Sequence, residues 1–177
     1  MIILVLGSNG SGKSAYAEGL AAQLSSSALY YIATMPRDWA GAEARIARHR
    51  EGRKGHGFTT IEQTRDIGSV SIPAGGAALL ECLGNLVANE MFGPGGAGAG
   101  TFETVSQGLE NLARQAGRLV VVSNDVFGEG MGHVPETAEY CRVLASLNQL
   151  LARKCAVVAE VVCGIPLWLK GNGEGDA

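Results

Sequence analysis

Residues 1–14, MIILVLGSNGSGKS, decide the fold. The apolar run from Ile2 to Leu6 has the length of a buried strand and stops at Gly7. Gly7, Ser8, Asn9, Gly10, Ser11, Gly12, Lys13 and Ser14 then satisfy G-x-x-x-x-G-K-[ST] at every fixed position. Glycines let the backbone curl so that successive N–H groups point at one anion. Lys13 is spaced to reach the outer phosphates of a nucleotide, and the Ser14 hydroxyl to ligate Mg²⁺. Residues 15–24 read as a helix, whose positive N-terminal end would face the same phosphates. A strand before and a helix after are the context a phosphate loop (P-loop) requires.

Outward from that stretch, strands and helices alternate. Strands are expected at 28–33 (ALYYIA), 58–62 (FTTIE), 77–81 (AALLE), 118–123 (RLVVVS) and 156–163 (AVVAEVVC), with a short last one at 167–170. Helices are expected at 41–51, 83–92, 101–116 and 136–154, with Thr101 as a candidate cap for the third of these. Residues 93–100 (GPGGAGAG) read as a flexible loop too poor in side chains to pack. The glycine-rich stretch 124–135 reads as a loop, and residues 171–177 as a frayed end. This order predicts an α/β fold with a mostly parallel sheet, helices on both faces, and ligands at the carboxyl ends of the strands.

At 177 residues the chain is read as a single nucleotide-binding domain over 1–177. A hydrophobic fraction of 46% supports a substantial core, and a net charge of −3 argues against a nucleic-acid partner. No apolar run reaches membrane-spanning length, and no signal-peptide series precedes the first strand, so a cytoplasmic protein is expected. Cys82, Cys141, Cys155 and Cys163 show no metal-ligand rhythm and read as reduced packing residues.

Two further groups carry chemistry. A phosphate loop needs a carboxylate to complete its magnesium site. Glu81, at the end of a buried strand, is the first choice and Asp125 the second. The segment GAEARIARHREGRKGH is the most basic in the chain, with Arg45, Arg48, Arg50, Arg53 and Lys54 around His49. Such a charge run is usually a solvated surface helix. Beside a nucleotide, however, a neutral imidazole is a competent nucleophile. Attack on the α-phosphorus would form a phosphoramidate and release pyrophosphate, with the guanidiniums of Arg48, Arg50 and Arg53 taking up developing charge. His56 and His133 lack comparable basic company.

The segments GSNGSGKSAYAEGL, YYIAT, ARIARHREGR, TTIE, LLECLGNLVANEMF, VVVSNDV with MGHVPE, and VVCGIPLWLK occur in one order over nearly the full chain. In this the sequence resembles the bifunctional adenosylcobinamide kinase/adenosylcobinamide-phosphate guanylyltransferases of cobalamin biosynthesis. The R-I-x-x-H-[RK] segment before a T-x-E strand makes the resemblance specific. It implies a RecA-like P-loop fold, a homotrimer, phosphorylation of adenosylcobinamide by ATP or GTP with Mg²⁺, and GMP transfer from GTP to adenosylcobinamide phosphate. The transfer would pass through a guanylylated His49, with Lys13 as the other catalytic group. The implied nucleotide contacts are 7–14, then Ile32, Ala33, Thr34, Arg50, Glu51, Gly52, Arg53, Glu62 and Glu81, with Ser14 and Glu81 at the metal. The chain departs from the family at Gly57 and Phe58, where a tryptophan is usual, and in a longer loop through Phe127, Gly128, Glu129 and Gly130. A monofunctional P-loop small-molecule kinase, or a GTP-binding switch or assembly protein, are the alternative readings. No N-K-x-D guanine-reading segment supports the switch.

Overall fold

The computed structural model describes residues 1–25, 27–39, 41–125 and 135–171. Apolar, β-branched runs become strands and amphipathic runs become helices, in the order β1 (Ile2–Leu6), α1 (Lys13–Leu24), β2 (Leu29–Ala33), α2 (Ala42–Gly52), β3 (Thr59–Glu62), β4 (Ala77–Glu81), α3 (Leu83–Phe92), α4 (Thr101–Gln115), β5 (Arg118–Val122), α5 (Pro135–Lys154), β6 (Val157–Val162) and β7 (Ile165–Lys170). The seven strands form one sheet in the order β3-β2-β4-β5-β1-β6-β7. All pairings are parallel except β6–β7.

The period of two along each strand sorts side chains to two cores. Leu4, Ile32, Leu80, Leu119 and Val121 face one side, where Leu83, Leu86, Leu112, Leu144 and Leu147 of α3, α4 and α5 cover them. Ile3, Val5, Tyr31, Leu79, Val120 and Val122 face the other, against Ala17 and Ala21 of α1. Small alanines there let α1 lie close to the sheet. Burying each large apolar side chain contributes about 1.5–3 kcal/mol, so these two layers supply the main stabilisation.

Four expectations are corrected. The last strand runs over six residues rather than four, because Cys163 (φ 51°) and Gly164 (φ 81°) make a tight two-residue hairpin from β6 into β7. Thr101 does not cap α4 from outside. It lies within the first turn, and its hydroxyl donates to the Gly98 carbonyl at 2.7 Å. Residues 93–100 are packed rather than loose. The buried Glu90 carboxylate accepts the Ala97 N–H, and a Cβ on Gly96 would stand 2.3 Å from the Glu90 carbonyl, so this backbone lies flush on the end of α3. The α1 helix starts two residues early, at Lys13. The expected glycine-rich loop after Asn124, with His133, and the expected frayed end fall largely on 126–134 and 172–177, outside the described residues.

Parallel order brings the carboxyl ends of β1, β2, β3, β4 and β5 to one edge of the sheet. The first glycine of the phosphate loop, Ala33, Glu62, Glu81 and Asn124 all stand at that edge, where ligands bind in open α/β sheets.

Candidate active site

The turn from β1 into α1 is shaped by what glycine alone allows. Gly10 and Gly12 have φ of 77° and 89°, and Gly12 is the left-handed residue that begins α1. A Cβ on Gly7 would stand 2.5 Å from Ser11 Oγ and 2.8 Å from the Val161 carbonyl. The Gly164 N–H donates to the Ser11 carbonyl at 2.8 Å, tying the β6–β7 hairpin to the loop. Lys13 is buried and donates from Nζ to the Ser8 carbonyl at 3.1 Å, across the mouth of the turn.

Ser14 and Glu81 meet from separate elements, 67 residues apart in sequence. Ser14 Oγ donates to Glu81 Oε1 at 2.7 Å. The second oxygen, Glu81 Oε2, is buried with no hydrogen-bond partner in the protein. Burial pushes the Glu81 carboxyl above the usual carboxylate range. The Ser14 hydrogen bond and the neighbouring His49 and Lys13 oppose that shift only in part. An under-coordinated oxygen-donor pair beside a lysine suits a hard divalent cation bound with a phosphate. Thr34, fully buried at the end of β2, fixes the strand end below: its hydroxyl accepts the Cys82 N–H at 2.8 Å and stands within 3.0 Å of the Glu81 and Cys82 carbonyls.

A cavity of about 420 Å³ opens over this pair, in the size range of small-molecule sites. Its floor holds Gly10, Gly12, Lys13, Ser14 and Glu81, and its far wall is α2 with Arg48, His49, Arg50 and Gly52. The imidazole of His49 therefore faces the phosphate loop across one cavity, although 36 residues separate it from Lys13. Asn9, Ala33, Arg53 and Glu62 also line it. Gly7, Ser8, Ser11, Ile32, Thr34 and Glu51 do not. Ile32 points into the core and Thr34 is spent on the strand end, so any contact from these two would be through backbone. His56 stands beside Phe58, 6.3 Å between ring centroids, and lines no part of the cavity. Asp125, the second metal candidate, is likewise absent from its walls.

The arginines divide. Arg50 pairs with Glu62 at 3.3 Å, and Arg37 clamps the same carboxylate through both Nε, at 2.9 Å, and its terminal nitrogen. Those contacts hold the Glu62 carboxyl below the usual range. Arg53 is buried, with its guanidinium 3.5 Å above the Tyr31 ring. Beneath it lies a residue that sequence reasoning passed over. Glu18, on α1, is buried in the cavity wall, with Oε1 3.8 Å from His49 Nδ1 and 3.9 Å from Arg53 Nη1. A signal for it was present. The helical stripe Lys13, Ala17, Glu18, Ala21 faces the sheet, and a carboxylate on an inward stripe calls for a partner. Tyr31 and Asn85, also in the cavity, sit in apolar runs with nothing to single them out.

Residues 3–169 match the family described as cobinamide kinase / cobinamide phosphate guanyltransferase. The chain is 34% identical over 187 residues to the bifunctional adenosylcobalamin biosynthesis protein CobU of Escherichia coli (strain K12), across 96% of this chain and 100% of that protein. It is 34% identical over 176 residues to the bifunctional adenosylcobalamin biosynthesis protein CobP of Pseudomonas aeruginosa, across 96% and 97%. Among solved structures, an ATPase domain superposes with a TM-score of 0.51 at 11% identity, covering 90% of this chain and 68% of that one, a likeness of fold alone. With the phosphate loop, the cavity and all but the two end residues of the sheet inside the matched span, the chain belongs to the cobinamide kinase / cobinamide phosphate guanyltransferase family, bifunctional transferases of adenosylcobalamin biosynthesis.

Proposed function

We propose that both reactions of this family run in the one cavity between the phosphate loop and α2, and that residues 1–177 act as one domain in doing so. In the first, ATP or GTP lies with its phosphates against the 7–14 turn, and the hydroxyl of adenosylcobinamide attacks the γ-phosphorus. Lys13 and the N-terminus of α1 take up charge on the transferring group, and the fixed backbone supplies position. Ser14 and Glu81 would hold Mg²⁺. When bound it supplies the positive charge that neutralises the phosphate oxygens, and the partnerless Glu81 Oε2 is the observation in its favour.

In the second reaction His49 attacks the α-phosphorus of GTP. The bond to pyrophosphate breaks, and GMP is held on the imidazole until a phosphate oxygen of adenosylcobinamide phosphate displaces it, giving adenosylcobinamide-GDP. Arg48 and Arg50 line the same wall, which supports a role for their guanidiniums in meeting the triphosphate. Glu62 and the backbone of Ile32, Ala33 and Thr34 form the edge where the nucleoside would lie. A cytoplasmic homotrimer that takes no nucleic-acid partner completes the reading.

The single supporting observation is that His49 and Lys13 line one cavity. Incubation with GTP labelled at the α-phosphorus tests it. The native enzyme should retain a covalent, acid-labile label, and His49→Ala should retain none. A label that persists in His49→Ala, or a native enzyme that takes none while it still phosphorylates adenosylcobinamide, leaves a kinase alone.

A further inference from the structure

Glu18 has no part in the two reactions as described, yet it is the most confined carboxylate on the cavity wall besides Glu81. It projects from α1 one turn after Ser14, with its side chain only 6% exposed. Oε1 makes no hydrogen bond in the protein, and neither does Arg53 Nη1 opposite it. A lone buried carboxylate is costly, so its surroundings must answer its charge. They do so with two groups, the Arg53 guanidinium and the Nδ1 edge of His49, at 3.9 and 3.8 Å. Arg53 is itself fixed, stacked on Tyr31. Gly52, the residue before Arg53, lies close by: a Cβ there would stand in ordinary contact, 3.5 Å from Glu18 Oε2.

We propose that Glu18 is the positioning residue for His49: resting on the histidine route above, it holds the proton on Nδ1 and leaves the Nε2 lone pair to attack phosphorus. A carboxylate facing Nδ1 favours the Nδ1–H tautomer, as second partners of reactive imidazoles do. Nε2 forms the bond to the α-phosphorus while the bond from phosphorus to the pyrophosphate oxygen breaks, its electron pair leaving with pyrophosphate. No proton moves. The ring keeps its Nδ1–H, becomes cationic on phosphorylation, and now faces an anion 3.8 Å away at the start of the reaction. When the phosphate oxygen of the second substrate attacks, the electron pair returns to Nε2 and the ring is neutral again. Arg53 supplies a positive charge 3.9 Å from the same oxygen while its guanidinium stacks on Tyr31. The charged and titratable groups around Glu18 are thus His49, Arg53, Glu81 and Tyr31.

Two measurements test this. First, the rate of covalent GMP labelling and the rate of adenosylcobinamide phosphorylation are measured in the native enzyme, Glu18→Gln and Glu18→Asp. Glu18→Gln keeps the shape and removes the charge. Labelling should fall about 100-fold more than phosphorylation, and Glu18→Asp should recover part of that ratio. Equal falls in both rates, the mark of a packing role, overturn the proposal, as does an unchanged labelling rate. A native enzyme that takes no label overturns the histidine route and this proposal together, so the two failures are distinct. Second, nitrogen-15 NMR of the native enzyme at alkaline pH, with the His49 signals assigned by their loss in His49→Gln, should show Nδ1 protonated and Nε2 bare. The opposite tautomer overturns the proposal even if every Glu18 variant fails to fold.

Discussion

The two walls of the cavity are built differently. The phosphate-loop wall is embedded: α1 packs on β1, β4, β5 and β6, Lys13 and Glu18 are buried, and the loop is hydrogen-bonded to the β6–β7 hairpin and to Glu81. The α2 wall is applied from outside. Among its described side chains only Ala42 is buried, and no other element packs broadly on it. What fixes it is polar: Arg50 on Glu62, Arg53 on Tyr31, and His49 beside Glu18. The contrast matches the demands of the two steps proposed above. Phosphoryl transfer is carried by fixed dipoles and charges, which need a rigid frame. A covalent relay needs a side chain that meets first one substrate and then another, and a wall held by a few polar contacts allows that at low cost.

The hardest test of this contrast is to damage the embedded wall. Lys13→Ala removes the buried cation of the 7–14 turn while leaving α2 intact. We expect phosphorylation of adenosylcobinamide to fall about 10³-fold or more, and GMP labelling of His49 to fall as well, because both reactions use the same cradle. Steady-state rates with saturating nucleotide are the measurement. If labelling survives at the native rate, the two reactions do not share a nucleotide position and the comparison breaks.

A smaller effect follows from Glu81. Its raised carboxyl means that the ionised form, present above the raised folded value, costs the folded protein stability. Glu81→Gln removes that charge while still accepting the Ser14 hydroxyl. It should lower phosphorylation about 100-fold and yet raise the melting temperature of the nucleotide-free protein near neutral pH. The sign fixes the pH window. The gain should be full above the raised value and disappear as the medium is acidified towards the ordinary carboxylate range, where native Glu81 is protonated and also neutral. Thermal scans of both proteins across that range are decisive. A variant less stable than native at neutral pH would mean the buried carboxylate is fully compensated without ligand.

The embedded wall was also the legible one. The phosphate loop is written contiguously, since one turn of backbone needs its glycines, lysine and serine side by side, and buried parallel strands announce themselves as unbroken runs such as AALLE and RLVVV. Even Glu81 could be named, because a carboxylate closing an apolar strand must stand at the ligand edge. The applied wall was legible in its residue types but not in its joints. The basic run around His49 points to anion chemistry, whereas the Glu18–His49–Arg53 contact joins residues 31 and 35 positions apart on two helices that nothing local brings together. The same holds for the packed 93–100 segment. Its glycines read as slack, but the buried Glu90 that accepts the Ala97 N–H, and the Asp66 N–H from beyond the segment, is visible only once α3 is folded.

The smallest effect sharpens the comparison at its weakest joint. Glu62, at the end of β3, is the anchor that Arg37 and Arg50 share, and it is nearly half exposed, so solvent screening makes these pairs modest. Glu62→Ala should move the melting temperature by no more than about 3 °C. Because the pairs hold the Glu62 carboxyl below the ordinary range, their contribution is present above that range and is lost as pH falls through the depressed value. The difference between native and variant should therefore vanish in acid. Stability is the lesser readout. Amide hydrogen exchange should show residues 42–52 opening faster in the variant while residues 13–24 keep their native protection, since only the outer wall hangs on this ion pair. Equal loosening of both helices would mean that the walls open as one unit, and that α2 is held by more than its polar contacts.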